Sequence, residues 1–235
     1  FDYLAAGETL TLDFTVAVRD AEGGADRTTV RINIEGVNDA PGFSVVSGAD
    51  TAAVSLGEAD AGLSASGTLT VADDDASDTV TVVRSLSAAS ISGGFIDEAG
   101  LAGLPDGYDR LDLEGMLSVD PGAVIGGGAT TGTVNWTFDS AGQRFDFLAD
   151  GQTLVLDYTV TAVDDSADGA AQAMQTVKVT ITGDGDAPVI DTSETGNAAT
   201  ASLIETDTGR FAQGRLTVAD RDLTERVDVE VTGVD

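Results

Sequence analysis

The sequence predicts an all-β protein built as a tandem array of antiparallel β-sandwich units. One complete unit and two partial units fall within the 235 residues. Three observations predict this fold class. Apolar residues alternate with polar ones along many short segments, which is typical of half-buried strands. Long segments recur at an almost constant spacing. Glycine is frequent, at 29 residues, which suits the many turns of such a fold.

The repeat is read from three pairs of matching segments. Residues 1–18 return as residues 145–162 with 11 of 18 positions identical, an offset of 144 residues. GTLTVADDD (67–75) returns as GRLTVADRD (214–222), and the tripeptide Asp-Ala-Pro at 39–41 returns at 186–188, both at an offset of 147. We therefore divide the chain into the last strands of one unit (1–41), a complete unit (42–188) and the first strands of a following unit (189–235).

Strands are predicted wherever apolar residues occupy every second position. Four long strands form two hairpins with these apolar faces: Leu10, Leu12, Phe14, Val16 and Val18; Val30, Ile32 and Ile34; Leu154, Leu156, Tyr158 and Val160; Val177, Val179 and Ile181. Shorter strands are predicted over Leu69–Val71, Val80–Val82, Val134–Phe138, Leu216–Val218 and Val227–Val231. Residues 85–133 are less regular, and we expect a short helix around Ile96 to Leu104.

The charge balance excludes several classes of partner. The chain carries 11 basic and 41 acidic residues, a formal net charge of −30. It offers no basic stripe that could neutralise phosphates, so we expect no nucleic-acid binding and no attraction to anionic membranes. A hydrophobic fraction of 42% is sufficient for a core, and no apolar run reaches the ~18 residues of a membrane span.

The chain has no His and no Cys. This excludes Ser-His-Asp and Cys-His catalysis, thiolate or imidazole metal sites and disulfides. A glycosidase that uses two carboxylates is the enzyme class that remains, but no carboxylate pair stands apart from the loop and boundary acids. We therefore expect a protein that is not an enzyme, with oxygen ligands for hard cations as its chemistry.

Three acidic segments are expected to meet before residue 42. They are the linker at Asn38-Asp39, the loop that begins with Asp73 and Asp75, and the hairpin that opens at Asp164. Two carboxylates ~6 Å apart repel by roughly 3 kcal/mol at an effective dielectric of ~20, so such a cluster favours a cation. The number and type of oxygens suit Ca²⁺. The alternative is that these acids are solvated loop residues that favour turns.

The same pattern recurs at the second boundary, which favours the metal interpretation over the solvated-loop alternative. Asp220 and Asp222 follow the repeated strand in the way that Asp73 and Asp75 follow the first, and they accompany a boundary that contains Asp184 and Asp186. The candidate metal ligands obtained from these residue patterns are Asn38, Asp39, Asp73, Asp75, Asp164, Asp184, Asp186, Asp220 and Asp222.

Three of these motifs together resemble a known family. The segments GTLTVADDD and FDFLADGQTLVLDYTV, with a boundary that ends in VNDAP, are similar to the VCBS repeats of giant bacterial adhesins of the RTX type. The resemblance covers the complete unit and both partial ones. It implies cadherin-like (immunoglobulin-like) sandwiches, Ca²⁺ as the bound ion, and a location at the bacterial cell surface after type I secretion.

The cadherin comparison implies three further ligands. Glu58 in LGEAD and Asp146 in FDFL correspond to acids that reach the boundary with the following domain, and Asp2 in FDYL would serve the first boundary in the same way. The chain also departs from cadherins, because Leu4 and Leu148 stand where a second acidic residue is used there. The number of ligands at each boundary is therefore left open.

The predicted function is a Ca²⁺-stiffened extender segment of a long secreted adhesin, acting in cell adhesion or biofilm formation. Its partners would be the adjacent repeats of the same chain, without membrane insertion. Two alternatives stay open. The repeat itself could bind glycans or a protein partner through residues 85–133, or partial units could be completed by neighbouring chains in a self-associated filament or surface layer.

Overall fold

The computed structural model describes residues 1–59, 61–92, 104–105, 108–166 and 169–233. Those residues form 13 strands and one short helix, which confirms the all-β fold class. The elements are β1 (Thr9–Arg19), β2 (Ala25–Glu35), β3 (Gly42–Ser44), β4 (Ala53–Gly57), β5 (Ser64–Ala72), β6 (Val80–Ile91), α1 (Arg110–Gly115), β7 (Leu117–Val119), β8 (Ala123–Ile125), β9 (Thr131–Asp139), β10 (Thr153–Val163), β11 (Gln172–Thr182), β12 (Val189–Asp191) and β13 (Thr217–Ala219). No described helix is long and apolar enough to cross a membrane.

Two sheets form the sandwich of the central unit. One has five strands in the order β4-β11-β10-β6-β8, and the other has four in the order β3-β5-β9-β7. All neighbours are antiparallel except β4 and β11, which run parallel, so the expectation of a purely antiparallel sandwich needs this correction. A parallel pair is possible there because a long connection, and not a hairpin, separates the two strands in sequence.

The core lies between these two sheets and contains large aromatic and aliphatic side chains. Trp136, Phe138 and Tyr158 are at most 1% exposed. Their polar atoms are satisfied, because Trp136 Nε1 donates to the Thr51 carbonyl at 2.8 Å and Tyr158 Oη donates to the Leu113 carbonyl at 2.6 Å. Fully buried polar groups without such partners would cost stability, so these two bonds make the aromatic core possible.

The long hairpins have the register that the period-two pattern predicts. Leu154 lies opposite Ile181 and Leu156 lies opposite Val179 in the β10–β11 pair. The β1–β2 pair has the equivalent register, with Leu10 opposite Ile34. Residues on one face of β10 are fully buried, while the same face of β1 is partly exposed, because the described residues around β1 include no second sheet.

The repeat seen in the sequence is also present in the strand pairing. In the central unit Gly42 pairs with Ala72 and Ser44 pairs with Thr70. At an offset of 147 residues, Val189 pairs with Ala219 and Asp191 pairs with Thr217. The segment after residue 188 thus begins with the same strand pair as the complete unit.

Two strand predictions need correction. The strand predicted at Leu216–Val218 lies one residue later, at Thr217–Ala219, and the strand predicted at Val227–Val231 does not form. In the central unit the equivalent strand β6 is hydrogen-bonded to β10 and β8, and residues 227–231 have no such neighbours among the described residues. An extended segment without a neighbouring strand has no ladder to join.

The irregular region contains the one described helix. The helix expected around Ile96 to Leu104 falls mainly on residues 96–103, which lie outside the described residues. The described helix α1 is further along, and Asp109 caps its start by accepting hydrogen bonds from the backbone N–H groups of Leu111 and Asp112. Side-chain capping of this kind ends the extended backbone and starts a helix locally.

Gly67 provides a test of the core packing. A Cβ at this position would lie 2.6 Å from Cζ2 of the buried Trp136 ring. We expect Gly67→Ala to lower the free energy of unfolding by about 1–3 kcal/mol, because the indole must shift in a close-packed core. Gly57→Ala is the matched control, since a Cβ at that strand position meets nothing within 4 Å. Urea unfolding of both variants checks the prediction, and equal midpoints for the two would contradict it.

Candidate metal centre

Three segments bring acidic groups together at the boundary before residue 42. We call this set the first boundary cluster, and it consists of Asn38, Asp39, Asp73, Asp75, Asp78 and Asp164. The linker after β2 carries the first two residues, the turn that follows β5 carries the next three, and Asp164 comes directly after β10. The strand ends thus place these polar groups at one end of the sandwich.

Hydrogen bonds hold the linker against the central unit. The backbone N–H of Asp39 donates to Oδ2 of Asp75 at 2.7 Å. Asn38 Nδ2 donates to Oδ2 of Asp164 at 3.2 Å, and the N–H of Asp75 donates to Oδ1 of Asp73 at 3.1 Å. The carboxylates of the turn and the hairpin are therefore fixed in position by the protein itself.

The carboxylates of this cluster are buried and incompletely partnered. Asp73, Asp75 and Asp78 are 2%, 0% and 6% exposed, and Asp164 is 3% exposed. One oxygen on each of Asp73, Asp75 and Asp78, and the amide oxygen of Asn38, has no hydrogen-bond partner. Within the described residues no Arg or Lys pairs with these four aspartates. Buried charge without a partner is costly, so these oxygens require a cation or a proton.

The titration of this cluster reflects the same cost. Burial raises the pKa of Asp73 and Asp75 above the ordinary range, and neighbouring negative charges add to the effect. The pKa of Asp78 rises to about 6, first through burial and then through repulsion from Asp75 and Asp73. Desolvation and like charge both disfavour the ionised form. A bound cation would oppose both effects.

A second cluster lies at the boundary near residue 186. The second boundary cluster consists of Glu58, Asp146, Asp184, Asp186, Asp220 and Asp222. Carboxylate oxygens of Glu58, Asp146 and Asp186 all lie within 4.8 Å of one another, so these three could hold a metal ion. The backbone N–H of Asp184 donates to Oε2 of Glu58 at 3.3 Å. The acids that meet here therefore come from three places: directly after β4, before β10, and in the linker.

The two boundaries share one geometry. At the second boundary the N–H of Asp186 donates to Oδ2 of Asp222 at 2.9 Å, which matches the Asp39–Asp75 bond at an offset of 147 residues. A backbone bond from Ala76 to the Tyr3 carbonyl (3.3 Å) has its counterpart in the bond from Leu223 to the Phe147 carbonyl (3.3 Å). Two hydrogen bonds of the junction thus recur at both boundaries.

Two carboxylate oxygens also lack hydrogen-bond partners at the second boundary. Asp222 is 3% exposed, and one oxygen each on Asp186 and Asp222 has no hydrogen-bond partner. The pKa of Glu58 rises to about 7, because burial and the charges of Asp146 and Asp186 outweigh the hydrogen bond from Asp184.

The candidate ligands differ in exposure and in the groups that they direct toward the clusters. Asp2 lies at the surface, with its side chain 87% exposed and 3.5 Å from the α-amino group of Phe1. Asp39 and Asp184 contribute backbone N–H groups and have exposed side chains. Asp220 is half-buried and accepts the N–H of Asp222 at 3.1 Å. The remaining candidates, Asn38, Glu58, Asp73, Asp75, Asp146, Asp164, Asp186 and Asp222, are half-buried or buried.

Two residues at the boundaries were not predicted from the sequence. Asp78 lies at the end of the acidic turn after β5 and is buried with an unpartnered oxygen. Its position at the end of the acidic run 73–78 could have identified it as a cluster residue. Arg221 lies 3.3 Å from Asp146 and 3.9 Å from Asp186. Comparison of the repeated segments could have identified Arg221, because ADRD stands in the second copy where the first has ADDD.

The donor set fits a hard cation. All the candidate groups offer oxygen, and the sequence has neither imidazole nor thiolate ligands. Buried oxygens without a protein hydrogen-bond partner occur at both boundaries, and such oxygens could bind a cation. Such an oxygen-rich set is what Ca²⁺ and Mg²⁺ bind in proteins.

Comparison with known proteins leaves the family undetermined. No protein-family model matches the chain, and no curated protein matches it. The VCBS resemblance predicted from the repeated motifs therefore stays a prediction.

Some solved structures have limited similarity to the chain. The ASH/PapD-like domain 7 of human CEP192 is 12% identical, covers 62% of this chain and 86% of its own, and has a TM-score of 0.35. Cadherin-like domains 1 to 4 of zebrafish RET are 15% identical over 76% of this chain and 34% of theirs, with a TM-score of 0.28. The CooA pilin subunit of enterotoxigenic Escherichia coli is 14% identical over 62% and 99%, with a TM-score of 0.31. Scores this low support no argument about function.

The raised pKa values predict an unusual pH dependence in the metal-free chain. Glu58 and Asp78 have pKa values of about 7 and about 6 in the folded chain, above the ordinary pKa values that they have when unfolded. Both groups therefore bind a proton more tightly in the folded state. Folding therefore takes up protons, and stability falls as pH rises through this interval. In chelator, we expect Tm to be a few degrees higher at about pH 5 than at about pH 7.5.

Calorimetric melts across this pH interval check that expectation. The double variant Glu58→Gln plus Asp78→Asn should flatten the dependence, because neither amide titrates. A wild-type Tm that rises steadily with pH in chelator would show that the boundary carboxylates are not destabilised by burial.

Proposed function

We propose that this chain is a Ca²⁺-stiffened extender segment of a long extracellular surface protein that acts in cell adhesion or biofilm formation. The observation that carries the proposal is the pair of boundary clusters, each with buried carboxylate oxygens that lack partners, including the equivalent residues Asp75 and Asp222. The motif resemblance to adhesin repeats supports this assignment, and so does the strand pairing that repeats at 147 residues.

The ligand candidates at one boundary come from different units. At the second boundary Glu58 and Asp146 belong to the central unit, Asp186 belongs to the linker, and Asp222 belongs to the following segment. An ion held by Glu58, Asp146 and Asp186 would neutralise their charge and fix the linker, whose Asp186 N–H donates to Asp222 of the following segment. Without the ion, repulsion among these carboxylates would be opposed there by the ion pairs of Arg221 with Asp146 and Asp186.

Calcium is the cation that best fits these groups. Ca²⁺ takes about 6–8 oxygen ligands in flexible geometry, whereas Mg²⁺ demands a strict octahedron and retains several waters. The first boundary offers four buried aspartates and the amide oxygen of Asn38. Extracellular Ca²⁺ modules bind with dissociation constants of about 10⁻⁴–10⁻³ M, so the sites would be filled outside cells and empty inside them.

The net charge suits an extended surface protein. A chain with a formal charge of −30 repels neighbouring copies, which keeps parallel rods apart and soluble. The same charge would oppose close packing of successive units unless cations are bound at the boundaries. Charge and cation binding would thus act together to give separated but stiff rods.

Calcium should raise the thermal stability of the chain. At a Ca²⁺ concentration ten times the dissociation constant, binding contributes about 1.4 kcal/mol per site. We expect Tm to rise by about 3 °C or more in millimolar Ca²⁺ relative to excess chelator, with a smaller change in Mg²⁺. The double variant Asp73→Ala plus Asp75→Ala should lose much of this rise. Differential scanning calorimetry measures each Tm.

The control removes the same charge elsewhere. Asp112→Ala plus Asp120→Ala deletes two exposed acids, one on α1 and one after β7, and should retain the full Ca²⁺ response. If the wild-type chain has the same Tm in Ca²⁺ and in chelator, the acidic clusters bind no calcium and the proposal is wrong.

Calcium should also restrict motion between units. We expect small-angle scattering of the 235-residue chain in chelator to show a broader distribution of interatomic distances than in millimolar Ca²⁺. The reason is that repulsion between the boundary carboxylates is removed when an ion links them. If the two distributions coincide while Ca²⁺ is shown to bind, the ion stabilises single units and does not stiffen the boundary.

A further inference from the structure

The repeated Asp-x-Asp turns of the two boundaries differ in the charge of their middle residue. The turn after β5 reads Asp73-Asp74-Asp75, whereas its repeat after β13 reads Asp220-Arg221-Asp222. The flanking aspartates make equivalent hydrogen bonds in both places, so the backbone of the two turns is closely similar. A cation therefore stands at the second boundary where an exposed carboxylate stands at the first.

Arg221 lies against the second boundary cluster. Its Nη1 is 3.3 Å from Oδ2 of Asp146 and 3.9 Å from Oδ1 of Asp186. The Asp146 and Asp186 side chains are 24% and 28% exposed, so the guanidinium interacts with partly desolvated charges. Such ion pairs are less screened than pairs at the open surface.

The same two aspartates belong to the group that could hold a metal ion. Oxygens of Asp146 and Asp186, with one from Glu58, lie within 4.8 Å of one another. A guanidinium at this site neutralises charge that a metal ion would otherwise neutralise, and it is always protonated at physiological pH. The Arg221 side chain and a divalent cation would thus compete for the same carboxylates.

The ion pair also joins different parts of the chain. Asp146 precedes β10 in the central unit, Asp186 lies in the linker, and Arg221 follows β13 in the next segment. The contact therefore bridges the boundary by itself. The first boundary cluster has no equivalent ion pair among the described residues, because none of its carboxylates lies next to a basic side chain.

We propose that Arg221 acts as a tethered counter-cation that holds the second boundary together without metal and weakens metal binding there. The two boundaries then differ in their need for Ca²⁺, with the first depending on the ion and the second partly independent of it. The effect on metal binding rests on the proposed function, whereas the metal-free bridge does not.

The metal-free bridge is tested by distance measurement. The chain lacks cysteine, so spin labels can be attached at two introduced cysteines, Thr133→Cys on exposed β9 and Ala199→Cys in the exposed segment after β12. In chelator, Arg221→Gln should broaden the inter-label distance distribution measured by pulsed electron paramagnetic resonance. Arg221→Lys should retain much of the native distribution, because it keeps the charge.

A matched control removes a different arginine from the same segment. Arg215 is exposed, and in the described residues it forms no ion pair, so Arg215→Gln should leave the distribution unchanged. If Arg221→Gln and Arg215→Gln give the same distribution as the unsubstituted labelled chain in chelator, the bridging role is overturned.

The effect on metal binding is tested by calorimetric titration with Ca²⁺. In a background with Asp73→Ala and Asp75→Ala, binding reports mainly on the second boundary. There, Arg221→Gln should tighten the apparent dissociation constant by about tenfold, and Arg221→Asp, which restores the residue of the first boundary, should tighten it further. In a background with Asp222→Ala, the reciprocal Asp74→Arg should weaken the first boundary by a similar factor.

The outcomes separate this inference from the proposed function. If the wild-type chain and all variants bind no Ca²⁺, the proposed function fails together with the metal half of the inference, and the spin-label result alone decides the bridge. If Ca²⁺ binds but the Arg221 variants keep the affinity of their background, the proposed function stands and the competition between Arg221 and metal is overturned.

Discussion

The burial of like charges at the ends of a β-sandwich is the constraint on which the rest of this structure depends. Asp73, Asp75, Asp78 and Asp164 sit at one end of the central unit with almost no exposure. Hydrophobic packing of the strands above them places them there, since the core cannot form without bringing those strand ends together. The stability of the core is therefore linked to how the charge is neutralised, and any cation that binds adds its free energy to folding.

The linker shows how this constraint extends beyond one unit. Asp39 donates its backbone N–H to Asp75, and Asp186 donates its backbone N–H to Asp222, the equivalent residue of the following turn. The linker is thereby docked onto the next unit, so the orientation of successive units is coupled to the position of buried carboxylates. A change in the charge state of these carboxylates would therefore act on the contact between the linker and the next unit.

Much of the fold could be predicted because strand period and repeat spacing are local signals. The pairing of the apolar faces of β10 and β11 was predicted from alternation, and the repeated segments predicted that the strand pair β3–β5 recurs as β12–β13. The parallel β4–β11 pair could not be predicted, because it joins residues more than a hundred positions apart without a pattern of its own. Asp78 and Arg221 were missed for a related reason: the first becomes buried, and the second meets Asp146, only when distant elements pack.

The parallel pairing of β4 with β11 determines how the central unit would respond to tension. The chain enters the larger sheet through β4 and leaves through β11, and the five residue pairs between them run from Lys178–Ala53 to Thr182–Gly57. Pulling the two ends of the unit apart drags these strands past each other along their length. Their hydrogen bonds are then loaded in shear, all at the same time, and do not open one by one as in a peeled hairpin. A chain stretched by flow would thus meet its mechanical resistance at this edge of the sandwich.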